Sequence, residues 1–136
     1  MPDENYIQQF CENDAFAQYI GIELLEASEG KAKARLKITG NHLNGLNTVH
    51  GGAIFALADF VFAAAANAYG TIAMAINVNI SYIKAMNEGT LIAEARETSL
   101  NPKLGTYSIH VTNDEGELIA IFQGMVYRKK ESIRNA

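Results

Sequence analysis

The sequence predicts an α+β fold in which a curled antiparallel β-sheet wraps around one long central helix. The predicted elements run in the order two strands, one long helix and four strands. The helix is apolar on every side, which is typical of a buried helix. A short antiparallel sheet can bury such a helix only by curling around it. The 136 residues, 49% of them apolar, are enough for one domain, which we place at 1–136.

The N-terminal segment, 1–20, is predicted to form one or two short helices. Asp14 is a favourable N-cap for the second of them, and Gly21 is a favourable stop. Strands are predicted next at 22–27 and 31–38. The second strand alternates between polar and apolar residues, as a strand does when one of its faces meets solvent.

A loop over 39–49 leads into the central helix, which we predict from about 51 to 69, with Gly70 ending it. The remaining strands are predicted at 72–83, 90–99, 106–113 and 117–128. A polar, flexible tail is predicted at 131–136.

The first strand after the helix has two chemically different faces. The larger apolar side chains share one face: Ile72, Met74, Ile76, Val78, Ile80 and Tyr82. The small and polar side chains share the other: Ala73, Ala75, Asn77, Asn79 and Ser81. This second face needs a cover, and so does the side of the helix that the sheet does not reach. Both observations favour an obligate homo-oligomer.

Composition excludes several classes of function. The net charge of −4 argues against a nucleic-acid partner, and the single cysteine excludes an internal disulfide. The apolar run 53–66 has the length of a core helix rather than a membrane span. The acidic N-terminus lacks the basic start of a signal peptide, so we expect a cytoplasmic protein. His42, His50 and His110 are scattered, so no metal site is expected.

Asp59 is the only ionisable side chain between Gly52 and Asn67. A buried carboxylate without a partner is costly, and its pKa rises to avoid the charge. Gly51 and Gly52, at the start of the same helix, leave the first backbone N–H groups uncovered, where they can bind a partial negative charge. The segment therefore offers both an oxyanion donor and an acid or base.

The pattern Asn44-Gly45-x4-His50-Gly51-Gly52-x6-Asp59 resembles that of hotdog-fold acyl-CoA thioesterases, and within them the phenylacetate-pathway (PaaI-like) branch. The similarity extends from about 20 to 129 and includes the stretch from Tyr82 to Gly89. It implies that Asp59 is the general base or nucleophile and that a Gly51 or Gly52 N–H polarises the thioester carbonyl. Asn44 and His50 would then orient water, substrate or the loop.

Two positions depart from the family pattern. Many relatives carry a Thr or Ser one turn after the acid, where this chain has Ala63. Some relatives carry a serine on the next strand, where this chain has Ala75. We expect Asn77 or Ser81 to position water or substrate in place of these missing hydroxyls. Coenzyme A is part of the substrate, so the resemblance implies no separate cofactor. The candidate contacts for its phosphates are Lys84, Lys103, Arg128, Lys129 and Lys130.

Helix geometry predicts that the site is shared between subunits. Gly51 and Asp59 are eight positions apart, which is about 12 Å along a helix. One small carbonyl cannot contact both groups of the same chain. Two antiparallel helices related by a two-fold axis would bring Gly51 of one chain near Asp59 of the other. The resemblance implies at least a dimer and suggests a tetramer.

Two other functions remain as alternatives to thioester hydrolysis of an aryl-acetyl or medium-chain acyl-CoA. One is a non-catalytic acyl-CoA sensor on the same fold. The other is a hotdog dehydratase or hydratase, which would pair a histidine with the acid in a different local motif.

Overall fold

The computed structural model describes residues 5–133, and within them it confirms the predicted order of elements and the α+β architecture. The helices and strands are α1 (Asn5–Glu12), α2 (Ala15–Ile20), β1 (Glu23–Ser28), β2 (Lys31–Lys37), α3 (Gly51–Asn67), β3 (Thr71–Tyr82), β4 (Thr90–Leu100), β5 (Leu104–Thr112) and β6 (Leu118–Ser132). A single turn of 3-10 helix, Gly40–His42, lies in the loop before α3. Residues 1–4 of the predicted N-terminal segment lie outside the described part of the chain.

The six strands form one antiparallel sheet in the order β1-β2-β4-β5-β6-β3. Its inner face packs on α3, which contacts every strand. Apolar side chains from α3, such as Leu57 and Val61, are fully buried against the sheet. The helix is the centre of the core, as a curled sheet around an apolar helix predicts. Within residues 5–133, no helix has both the length and the apolar character needed to span a bilayer.

The helix lies very close to strand β6. A Cβ atom at Gly124 would come 2.6 Å from the ring of Phe62, so only glycine allows this approach. The Phe62 ring also packs edge-on against Tyr107, with ring centroids 5.6 Å apart. A glycine in the strand thus lets the backbone of the sheet touch an aromatic ring of the helix.

The C-terminal end of α3 is tied to β3 by a buried asparagine. The side chain of Asn67 donates to the carbonyls of Ala63 (2.9 Å) and Ala73 (3.2 Å), and it accepts the N–H of Ala73 at 2.9 Å. Every bond of this group is to backbone, so the turn from α3 into β3 has a fixed geometry.

A second polar cluster holds the same end of the helix to the sheet. The hydroxyls of Tyr69 and Tyr107 both donate to the carboxylate of Glu97 at 2.9 Å. Burial, together with the Glu97 hydrogen bond, raises the pKa of Tyr69 to about 12, and it raises the pKa of Tyr107 as well. Both tyrosines therefore stay protonated donors at neutral pH.

The prediction that the residues of β3 alternate between the same two faces along the whole strand is wrong beyond its midpoint. Ala75 pairs with Val126 but Asn77 pairs with Met125, so Ile76 is the extra residue of a β-bulge. The bulge reverses the alternation. Small Ala73 faces the helix before it, whereas the side chains that pack on the core after it are Val78 and Ile80. The exposed, outer positions after the bulge are Asn77, Asn79 and Ser81.

The predicted tail at 131–136 begins too early. Strand β6 continues to Ser132, and Ile133 is buried, with its N–H bonded to the carbonyl of Gly70. The long β-ladder with β3 overrides the polar sequence here, because each added residue gains backbone pairing. Residues 134–136 lie outside the described part of the chain.

Candidate active site

One side of α3 is not covered by the sheet. The residues on it that retain solvent exposure are Gly52, Phe55, Ala56, Asp59 and Ala63. Their spacing of three and four places them on one face of the helix. The sequence predicted that the sheet leaves one side of the helix without a cover, and the uncovered stripe is that side and contains the candidate acid.

Asp59 lines a cavity of about 260 Å³ beside the N-terminal segment. Its walls include side chains of α2 and α3, among them Phe16, Phe55 and Phe60. No residue within 5–133 donates a hydrogen bond to its carboxylate. Burial raises the pKa of Asp59 above the ordinary 3.8, and the nearby negative charge of Asp14 raises it further. A carboxyl held in this way can accept a proton more readily than an exposed one.

The start of α3 has one backbone donor left over. The carbonyl of His50 accepts the N–H groups of Ala53 and Ile54. The His50 ring caps the helix by accepting the N–H of Gly52 at 2.8 Å. Within residues 5–133, nothing accepts the N–H of Gly51, so this group is available to an electronegative atom. Of the two donors that the sequence predicted, Gly52 is already occupied.

The cap defines the state of His50. Its Nδ1 is the hydrogen-bond acceptor for the Gly52 N–H, which leaves Nε2 as the ring nitrogen that can donate. Its backbone N–H donates to the carbonyl of His42 at 2.8 Å. The buried ring of His42 in turn accepts the N–H of Thr39 and donates from Nε2 to the carbonyl of Ile20 at 2.8 Å. His42 therefore joins the loop before α3 to the end of α2, a role that its position in the sequence did not suggest.

Tyr82, which the sequence offered only as part of a family stretch, contacts the helix start directly. Its hydroxyl donates to the carbonyl of Gly51 at 3.1 Å. Its ring lies against the same residue, since a Cβ at Gly51 would be 3.1 Å from the ring. An aromatic residue at the end of the strand after the helix was the available signal, but the contact spans 31 positions and periodicity cannot reveal it.

Asn44 fixes the loop and lies outside the contact shell of Asp59. Its side-chain oxygen accepts the N–H groups of Leu46 (2.9 Å) and Thr48 (3.2 Å) and the Thr48 hydroxyl. Asn47 takes a positive φ of 58° inside this turn. The turn leads into Val49 and the His50 cap, so Asn44 shapes the approach to the helix.

The other predicted binding residues do not meet around one chain's Asp59. Asn77 and Ser81 lie on the outer face of the sheet, away from α3, because of the bulge in β3. Lys84 is paired with Glu117. Arg128 lies over the ring of Tyr69, 4.6 Å from its centroid.

The Arg128 guanidinium also donates to the carbonyl of Ala66 at 3.4 Å, at the C-terminal end of α3. Lys103 is next to Arg128 in the structure, because the backbone N–H of Arg128 donates to the carbonyl of Lys103 at 2.7 Å. These two cations are therefore at the opposite end of the helix from Gly51.

Comparison with known proteins gives consistent matches. The family model of the thioesterase superfamily matches residues 46–120. The acyl-coenzyme A thioesterase PaaI of Escherichia coli is 36% identical over 118 residues, covering 86% of this chain and 84% of that protein. A protein of Archaeoglobus fulgidus, whose name gives only a general esterase assignment, is 45% identical over 120 residues, covering 88% of this chain and 78% of its own. The solved structure of E. coli PaaI superposes with a TM-score of 0.89 at 31% identity, covering 95% of this chain and 97% of that one.

Replacing Asp59 by asparagine should stabilise the fold at neutral pH. The folded-state pKa of Asp59 lies above 3.8, so the folded protein binds more protons than the unfolded chain as the pH rises from 3.8 through the raised pKa. The free energy of unfolding falls across that window and stays lower above it. Asp59→Asn cannot ionise, so its melting temperature should exceed that of the wild type at pH 7, and the difference should shrink below pH 3.8.

Thermal unfolding at both pH values measures this, and Glu88→Gln, in an exposed turn, is the matched control. A lower melting temperature for Asp59→Asn at pH 7 would contradict the pKa shift.

Proposed function

The chain belongs to the thioesterase superfamily, and on that premise we propose that it hydrolyses the thioester of an acyl-CoA to the free acid and coenzyme A. The acyl group that we propose is aryl-acetyl or medium-chain. The single observation that supports this most is the presence of two features on the same helix, one at the start of α3 and one on its uncovered stripe. One is an unpaired Gly51 N–H, and the other is an Asp59 carboxyl with a raised pKa.

The helix start provides the electrostatic part of the reaction. A thioester oxygen placed against the Gly51 N–H would receive a hydrogen bond that strengthens as negative charge develops on it. The His50 cap and the Tyr82 hydroxyl hold the neighbouring peptide group on both sides. The donor is therefore fixed before substrate arrives, which is what makes such a group effective.

Asp59 provides the attack on the carbonyl carbon in either of two ways. As a general base it takes a proton from water while the water oxygen bonds to the carbon. The C–S bond then breaks, and the coenzyme A thiolate takes up the proton. As a nucleophile its carboxylate oxygen bonds to the carbon and expels the thiolate, and water then hydrolyses the mixed anhydride. Neither route requires a cofactor, because the thiolate is a good leaving group.

The two groups act together only across two subunits. Along one helix, Gly51 and Asp59 are about 12 Å apart. The uncovered stripe of α3 bears small residues, Gly52, Ala56 and Ala63, that permit close approach of a second helix. An isologous dimer would then contain two equivalent sites, each with Gly51 from one chain and Asp59 from the other. A dimer of such dimers is the assembly that we propose.

The polar residues outside this pair remain proposed substrate contacts. Lys84 lies two positions after Tyr82 and therefore near the helix start, within reach of a phosphate. Asn77 and Ser81 on the outer face of the sheet, and Lys103 and Arg128 at the far end of α3, can contribute only to a site that includes a neighbouring subunit.

The first test is release of free thiol from a panel of acyl-CoAs: acetyl, hexanoyl, lauroyl, benzoyl and phenylacetyl. Wild type should hydrolyse at least one of them, and Asp59→Asn should lower kcat by about a hundredfold or more, because it can neither accept a proton nor attack. Glu88→Gln is the control. No turnover by a folded wild type that binds acyl-CoA would instead support the acyl-CoA sensor, in keeping with Ala63 and Ala75 where relatives carry hydroxyls.

Removing the Gly51 N–H alone should lower kcat by about a hundredfold relative to a matched alanine variant. Gly51→Pro lacks the donor and suits the first position of a helix. The preceding His50, at φ −62° and ψ 133°, already has the conformation that a following proline requires. Gly51→Ala adds a Cβ toward Tyr82 but keeps the N–H. Equal kcat values for the two variants would exclude Gly51 as the oxyanion donor.

Mixing two inactive variants tests the shared site. Gly51→Pro and Asp59→Asn chains, unfolded together and refolded in equal amounts, should recover about a quarter of the wild-type sites, because half of the dimers are mixed and each has one intact site. Thiol release before and after mixing measures the recovery. Absence of recovery, with mixed dimers demonstrated by mass spectrometry, would place both groups in one chain.

A further inference from the structure

Helix α2 is a short element held firmly at the edge of the candidate site. Asp14 caps its start by accepting the N–H of Ala17 at 3.0 Å, and Gly21 ends it with a φ of 98°. The carbonyl of Ile20 accepts the hydrogen bond from His42, which connects it to the loop before α3. The backbone of this helix is therefore held in place relative to the start of α3.

Two aromatic rings on α2 remain in solvent. Phe16 is 67% exposed and Tyr19 is 83% exposed, although both are large side chains. Phe16 lines the cavity that contains Asp59, together with Ile22, Phe55 and Phe60. Tyr19 does not line that cavity. It lines a larger one, of about 670 Å³, in front of His50.

Phe16 borders both cavities, as does Gly52 at the start of α3. The inner cavity, of about 260 Å³, has an apolar lining from Phe55, Phe60 and Ile22. A cavity of about 150 Å³ is enough to hold a benzene ring. The inner space therefore has room for a ring-sized group or a short chain, and Phe16 forms part of its wall next to the larger cavity.

We propose that Phe16 determines acyl-group specificity, with its ring closing the inner cavity beside Asp59 and limiting the length of the acyl group that fits there. The inference rests on the proposed function and names the part of the substrate that the cavity binds. The carbonyl carbon must approach the Asp59 carboxylate for attack, so the acyl group attached to it enters the space that Asp59 lines. Apart from Asp14 and Asp59, that space is bounded by apolar side chains and one glycine. An apolar acyl group suits it, and the anionic coenzyme A moiety does not.

The test compares two truncations on the same helix. Phe16→Ala opens the inner cavity, whereas Tyr19→Ala removes another exposed ring of the same helix that does not line it. The readout is kcat/KM for hexanoyl- and lauroyl-CoA by thiol release. Phe16→Ala should raise the ratio of lauroyl to hexanoyl by about tenfold or more, since each methylene in an apolar pocket changes discrimination by that order. Tyr19→Ala should leave the ratio within about twofold.

A filling variant tests the opposite direction. Phe16 lines the inner cavity and is exposed, so Phe16→Trp places a larger ring at the same position and reduces the space without disturbing the core. It should lower kcat/KM for lauroyl-CoA more than for acetyl-CoA. This variant also keeps the proposal testable if Phe16→Ala fails to fold.

The outcomes separate this inference from the proposed function. Wild-type activity with an unchanged lauroyl-to-hexanoyl ratio in Phe16→Ala would overturn the specificity role alone. A change in the mass of the assembly by light scattering, for Phe16→Ala but not Tyr19→Ala, would assign Phe16 to a subunit interface and overturn it too. A wild type that hydrolyses no acyl-CoA would overturn both.

Discussion

The constraint on which the structure depends is that one sheet of six strands cannot cover every side of an apolar helix. The sheet covers the side of α3 that bears residues such as Leu57 and Val61. It leaves a stripe from Gly52 to Ala63 with solvent exposure, and Asp59 is in the middle of that stripe. A carboxylate on the covered side would be buried without partners and would destabilise the fold. On the uncovered side, partial contact with solvent lowers the cost of the charge, and partial burial still raises the pKa of Asp59.

The start of the helix has a second constraint, which is that its N–H groups outnumber the acceptors available to them. An α-helix begins with several N–H groups that lack internal acceptors. Here the His50 ring accepts the N–H of Gly52, and the His50 carbonyl accepts those of Ala53 and Ile54. Within residues 5–133, no group accepts the N–H of Gly51. The surrounding contacts from Tyr82 and His42 hold this arrangement in place. A single donor is thereby available at the helix start, next to a peptide group that is held by hydrogen bonds.

Local patterns in the sequence predicted much of this. The order of the elements, the caps of α2 and the start of α3 follow from periodicity and capping residues, and Asp59 is conspicuous as the one acid in an apolar run. The bulge at Ile76 was missed because strict alternation predicts a uniform strand, and only pairing with β6 reveals the extra residue. The contacts of Tyr82 with Gly51 and of His42 with Ile20 were missed because they join residues far apart in the chain.

The two ends of α3 differ in how they are secured, and this sets a gradient of local stability along the helix. At the C-terminal end, Asn67 and the Glu97 cluster give many buried bonds to the sheet. At the N-terminal end, the attachments are an exposed histidine cap and an exposed tyrosine. Opening motions should therefore start at Gly51 and rarely reach Asn67, so backbone amides should exchange with solvent progressively more slowly along the helix. The far end of the helix therefore keeps the fold intact during such local openings.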